Sequence, residues 1–98
     1  MNRPVRFHGF AELELEEASD YYGRATPGLQ EAFLAEVERG CRLLSEFPEV
    51  GALVRQGVRK LVLKRFPYSL FYTVREDGVR IVAIGHQHRR PFYWRRRL

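Results

Sequence analysis

The residues best suited to chemistry in this 98-residue sequence lie near its end, where His86 to Arg97 (HQHRRPFYWRRR) interleaves two histidines, five arginines and three aromatics. Arginine forks clamp phosphates and aromatic faces stack bases, so the composition suits contact with single-stranded nucleic acid. A plainer reading folds Phe92 and Trp94 back as an apolar lid and leaves the arginines solvated. His86 and His88 are spaced so that an extended strand puts them on one side, and histidine titrates near neutrality, which keeps general acid–base work open. A zinc site would need more ligands than the nearby acids and thiols offer. No Gly-rich phosphate loop and no activated serine or cysteine is visible, so neither a metal nor a cofactor is expected.

These residues follow a strand, a tight turn and a second strand spanning Arg65 to His86. Asp77-Gly78 between two apolar runs is a strong hairpin signal, because a type I′ turn needs both central residues at positive φ. With that turn, Val74 should oppose Ile81, Tyr72 Ala83, Leu70 Gly85 and Tyr68 Gln87. Alternation then gives those pairs one face, directed at the core, and gives Phe71, Thr73, Arg75, Arg80, Val82, Ile84 and His86 the other. The second face is half apolar and half basic, so the chain's own tail or a partner should lie on it. Val58 to Leu63 reads as another strand, whose inward face is contested between Leu61 and Leu63 and Val58 and Val62; the favoured choice, the leucines, places Lys60 and Lys64 on the basic face.

The elements that must support this sheet come earlier. Residues 3 to 8 alternate weakly and contain Pro4, which removes a ladder donor, so a strand there belongs at an edge. Ala11, Leu15, Ala18 and Tyr22 repeat at helical spacing, with an acidic run on the other side and Gly23 as the stop. Thr26-Pro27 starts a second helix in the preferred cap-then-proline order, carrying Leu29, Phe33, Val37, Cys41 and Leu44 inward until Pro48 ends it. Residues 48 to 57 read as a loop with a brief helical turn. The expected fold is α+β: an N-terminal edge strand, a two-helix hairpin, then a three-stranded antiparallel sheet with the helices on one face.

Length allows one domain, residues 1–98, with a single core. No run of about 18 apolar residues exists and no signal-peptide segment opens the chain, so a soluble, cytoplasmic protein without membrane contact is expected. The lone Cys41 offers no internal disulfide and reads as a small helix residue turned to the core. The net charge of +5 hides a division: residues 1–50 carry five arginines and ten acids, and residues 51–98 carry twelve basic residues and two acids. A polyanionic or acidic-protein partner is expected for the basic half.

Gly57-Val58-Arg59 leading to Arg65-Phe66-Pro67-Tyr68, then Leu70-Phe71-Tyr72, then His86 and Arg89-Arg90-Pro91 with Tyr93-Trp94, resembles the RelE/ParE superfamily of plasmid-stabilisation toxins from bacterial type II toxin–antitoxin pairs. Ala11, Leu15, Tyr21-Tyr22 and the Pro48 to Gly51 stretch extend the resemblance over nearly the whole chain. It implies a small toxin held inactive by a cognate acidic antitoxin that wraps around it, and a target that is either DNA gyrase (ParE type) or mRNA on the ribosome (RelE type). Residue matching favours the ParE type. RelE-type nucleases place cations where this sequence has Val62, Ser69 and Gln87, and cleavage through the 2′-hydroxyl needs charge stabilisation at the phosphate as well as proton transfer. Lys60 and Tyr93 do match basic and aromatic positions of the nuclease site. In the nuclease alternative Lys60, Arg65, His86, His88 and Tyr93 would be catalytic. Target or nucleic-acid contact would otherwise fall to Lys64, Arg75, Arg80, Arg89, Arg90, Trp94 and Arg95.

Overall fold

Residues 2–98 are described by a computed structural model, built on one sheet with strand order β1-β5-β4-β3-β2. The elements are β1 (Val5–Phe7), α1 (Gly9–Ala25), α2 (Leu29–Glu46), β2 (Ala52–Arg55), β3 (Val58–Val62), β4 (Tyr68–Arg75) and β5 (Gly78–His86), with a 3-10 turn at Arg95–Arg97. β1 runs parallel to β5 at one edge, and the other neighbours are antiparallel. The α+β class, the edge strand and the helical hairpin are as expected, but the sheet has five strands rather than three.

His8 caps α1, its Nδ1 accepting from the Phe10 N–H at 3.0 Å. Ala11, Ala18 and Tyr22 turn inward as their spacing requires. The helix continues past Gly23, where a Cβ would stand 3.1 Å from the movable end of the Gln30 side chain of α2, and runs to Ala25. Thr26 ends α1, donating its N–H to the Tyr22 carbonyl, so α2 begins after Pro27 with Gly28 at its N-cap. It ends at Glu46, before Pro48, where the residue preceding proline is steered away from helical angles. Phe33, Val37 and Leu44 carry its buried stripe.

The expected loop at 48–57 contains β2, joined to β3 by Gln56-Gly57 with φ of 53° and 78°. All four β2 residues are exposed, so the strand lacks the alternation that would reveal it. Leu61 and Leu63 do face the helices, while Val62 is exposed.

The β4–β5 register departs from expectation. The turn residues are Glu76-Asp77, one position earlier, so Arg75 pairs with Gly78, Val74 with Val79, Thr73 with Arg80 and Tyr72 with Ile81. Gly78 has φ 141° and packs so closely on β1 that a Cβ would lie 2.4 Å from the Pro4 carbonyl oxygen. A bulge between Phe71 and Tyr72 then admits Val82 as an extra residue, and Phe71 pairs with Ala83, Leu70 with Ile84, Ser69 with Gly85 and Tyr68 with His86. β4 keeps its expected faces, but β5 inverts beyond the bulge. Ile84 and His86 therefore turn to the helices, and Ala83 and Gly85 turn away.

Two cores result. Between helices and sheet lie Ala11, Tyr22, Phe33, Leu44, Leu63, Phe66, Leu70, Tyr72, Ile81 and Ile84. Each large member contributes on the order of 1.5–3 kcal/mol by leaving water. The Gly51 N–H donates to the buried Tyr72 hydroxyl at 2.9 Å, and the buried Glu36 carboxylate accepts the Lys64 N–H at 2.7 Å, tying α2 to the β3–β4 turn. On the helix-free face Val58, Val82, Ala83 and Trp94 form the second core with Phe71, Phe92 and Tyr93 against it.

Candidate functional site

β5 ends where the chain must turn, and the Gln87 N–H donates to the Pro67 carbonyl while the Arg89 N–H donates to that of His86. The tail then doubles back across the helix-free face, driven by its aromatics. Trp94 is 1% exposed, tilted against Phe71 at 5.6 Å and edge-on to Phe92 at 5.8 Å. The return ends at a buried ion pair: Arg97 grips both carboxylate oxygens of Glu14 on α1, at 2.8 and 3.0 Å, with side chains 13% and 10% exposed. Arg97 also donates to the Val82 carbonyl at 3.0 Å, and Glu14 accepts the Ile84 N–H at 3.0 Å. Two backbone groups of β5 beyond the last residue that β1 pairs are thereby satisfied. Burial alone would lower the Arg97 pKa, but the Glu14 carboxylate overrides it and the result is raised.

Tyr93 lies within this frame, its ring 4.0 Å from the Arg89 guanidinium and 5.1 Å from that of Arg97. A Cβ on Gly85 would sit 2.9 Å from the phenol oxygen, so a glycine is needed for the ring to lie flat on the sheet. The hydroxyl is buried with no partner in hydrogen-bonding geometry among the described residues. Burial, then the neighbouring Glu14, pushes its pKa well up, so the phenol holds its proton.

Between the tail and the β2–β3 hairpin opens a cleft of about 440 Å³ lined by Lys60, Phe71, Arg89, Arg90, Phe92 and Tyr93, among others. Of the five candidates for nuclease chemistry, Lys60 and Tyr93 line this cleft, the Lys60 ammonium 5.9 Å above the Phe71 ring. His86 reaches the rim, but its ring packs edge-on against Tyr68 at 5.1 Å, on the helix side. His88 stacks on His86 at 5.2 Å outside the cleft, and its N–H donates to His86 Nδ1. Arg65 is exposed in the β3–β4 turn, 5.7 Å over Phe66.

The other candidates also separate. Lys64 sits in the same turn as Arg65, Arg89 and Arg90 border the main cleft, Arg75 and Arg80 line a second cleft near β1, and Arg95 is exposed. Trp94 is packed as a lid, 1% exposed within the second core, and borders the main cleft only at the edge of that core. The neighbouring ring faces are occupied too, since the Arg55 guanidinium covers Phe92 at 4.6 Å. Among the described residues the tail aromatics are thus partly engaged by packing and by cations, and what the face offers beside them is positive charge.

Sequence reasoning missed Glu14 and Arg97. Glu14 had been one acid of a solvated run and Arg97 one of three consecutive arginines. A signal existed, because Glu14 stands at spacings of three and four from Ala11 and Ala18 and so shares their inward stripe.

A family model described as "ParE toxin of type II toxin-antitoxin system, parDE" matches residues 5–91. Toxin ParE2 of Mycobacterium tuberculosis, in strains CDC 1551 / Oshkosh and ATCC 25618 / H37Rv, is 26% identical over 92 residues, covering 93% of this chain and 88% of that protein. A solved structure described as "Chromosomal ParDE TA system from P. aeruginosa" has the same fold, with a TM-score of 0.69 at 24% identity over 86% of this chain and 95% of that one.

Proposed function

The chain belongs to the ParE family, the toxins of type II toxin–antitoxin systems, and from that premise we propose that it inhibits DNA gyrase and is silenced by an acidic antitoxin. The observation that carries the choice of a binding mechanism over a nuclease is the state of Tyr93. Its phenol oxygen is buried and its ring lies under two guanidinia, one of which is already paired with Glu14. A group so enclosed is poorly placed to exchange a proton with a substrate. Of the remaining acid–base candidates, His86 packs edge-on against Tyr68 and only borders the cleft that Lys60 lines, and His88 is not among the residues that line it. Support for the antitoxin's acidity comes from the exposed cations of the sheet and tail, which have two acids among residues 51–98 to balance them.

A second reading, ribosome-dependent cleavage of mRNA, is favoured by one observation: Lys60, Arg89, Arg90 and Tyr93 do line a common cleft. The test measures both activities after induction in cells, following gyrase-linked DNA breaks with an SOS response alongside codon-specific cuts in ribosome-bound mRNA. DNA breaks without mRNA cuts, retained in Tyr93→Phe, are expected. Ribosomal cleavage abolished by Tyr93→Phe or His86→Ala, with no DNA damage, overturns the gyrase reading.

A further inference from the structure

Three arginines come together on three adjacent strands at the β1 edge of the helix-free face. Arg6 lies beside Arg80 in the parallel β1–β5 register, Arg80 pairs with Thr73, and Arg75 follows on the same side of β4. With Pro4, Asp77 and Gly78 they line an open cleft of about 340 Å³. Neighbouring strands lie about 4.8 Å apart, so these guanidinium groups share one patch of solvent and repel. Among the described residues Arg75 and Arg80 have no ion-pair partner. Arg6 has only Asp77, at 4.0 Å, with both side chains at least 75% exposed, and such a pair is worth little.

The positive strip continues along the edge. At the β1–α1 junction the His8 pKa is lowered by burial and then by Arg80 and Arg97, against an opposing pull from Glu14, so both cations are felt there. Beyond it Arg96 lies exposed beside His8 and Phe10. Like charges assembled with only the exposed Asp77 against them raise the energy of the free protein, and a bound polyanion relieves it.

Two observations select which polyanion. A protein partner needs apolar anchors, and none of the exposed large apolar side chains stands among Arg6, Arg75 and Arg80; Phe10, past the end of the strip, lies under the Arg97 guanidinium at 5.2 Å. A single strand needs aromatic platforms, and among the described residues no exposed aromatic side chain stands among Arg6, Arg75 and Arg80. What remains is a row of forked donors suited to a regular row of phosphates. We propose that Arg6, Arg75 and Arg80 form a phosphate-binding strip for the backbone of duplex DNA, a contact separate from the toxin's protein target.

The test uses the full chain and a labelled DNA duplex, following anisotropy over a salt series. Arg6→Ala, Arg75→Ala and Arg80→Ala should each reduce the slope of log affinity against log salt by about 0.9, the value for one phosphate contact. Arg80→Lys should keep the slope, while Arg24→Ala and Arg42→Ala on the helices should leave it unchanged, and circular-dichroism melts verify that every variant folds. Equal losses from the helix arginines, tighter binding of single-stranded DNA, capture of polyglutamate in place of duplex, or no duplex binding at low salt would each overturn the proposal. Gyrase supercoiling measured on the same preparations separates the two ideas: inhibition without duplex binding sinks the strip alone, and duplex binding without inhibition sinks the gyrase reading alone.

Discussion

Removing one charge of the Glu14–Arg97 pair should cost more than removing both. Each side chain is nearly enclosed, so a lone survivor is a buried charge without its counter-charge, a defect worth about 3–5 kcal/mol. Glu14→Gln and Arg97→Met should each lower the urea midpoint by that measure, and the double variant should recover part of the loss; strictly additive losses in the double-mutant cycle would show that the pair is not coupled. Two tyrosines give a sharper contrast at the same scale. Tyr72→Phe strips the buried Gly51 N–H of its acceptor and should cost about 1–3 kcal/mol, whereas Tyr93→Phe removes a hydroxyl with no partner in hydrogen-bonding geometry among the described residues and should leave the unfolding midpoint unchanged or raised. A loss at Tyr93 equal to that at Tyr72 would mean that its hydroxyl has a partner after all.

β1 is held by the way β5 begins, because the Val79 N–H donates to the Pro4 carbonyl across the space that Gly78 leaves open. Gly78→Ala puts a Cβ inside that oxygen's radius and adds strain of order 1–3 kcal/mol at a positive φ. Hydrogen exchange in β1 and β5 should accelerate while α2 stays protected; undiminished protection at Val79 would refute the account. The same hairpin shows where the sequence was legible. Periodicity exposed both helices and the inward face of β4, since those signals are set by local alternation; in β3 the leucines and valines compete, and the packing turns Leu61 and Leu63 to the helices. The bulge was hidden because Val82 is an ordinary strand residue, and only the three-dimensional demand to bury both Ile81 and Ile84 inserts it. Gly78 misled for a related reason: its positive φ serves the approach to β1, not the turn. β2 carries no alternation, and Glu14 finds its arginine 83 residues away, where no local pattern points. The lid at Trp94 was visible as one of two readings, and packing against Phe71 decides between them.

Across the whole molecule, the ten acids of the first half and the basic second half make a charge-divided protein whose basic side is a sheet face closed by its own tail. Phenols are buried in both cores, and burial shifts them in one direction. Tyr22, Tyr68, Tyr72 and Tyr93 are all raised from 10.0 with burial as the first cause, and burial pushes the Cys41 thiol from 9.0 up to about 11. The sign follows from linkage. Below the unfolded values both states hold these protons and the groups contribute no pH dependence; above them the unfolded chain releases protons that the folded chain retains, so stability falls as pH rises. The urea midpoint should therefore carry no contribution from these groups between about pH 7 and pH 8 and should drop as pH passes about 9 to 10, where thiols and phenols ordinarily titrate. Tyr93→Phe removes one of the most strongly shifted of these groups, so its midpoint should fall less steeply than that of the parent over the alkaline range. Parallel curves for the two proteins would show that Tyr93 ionises in the folded state as freely as in water, and with that the enclosure on which the binding mechanism rests would be lost.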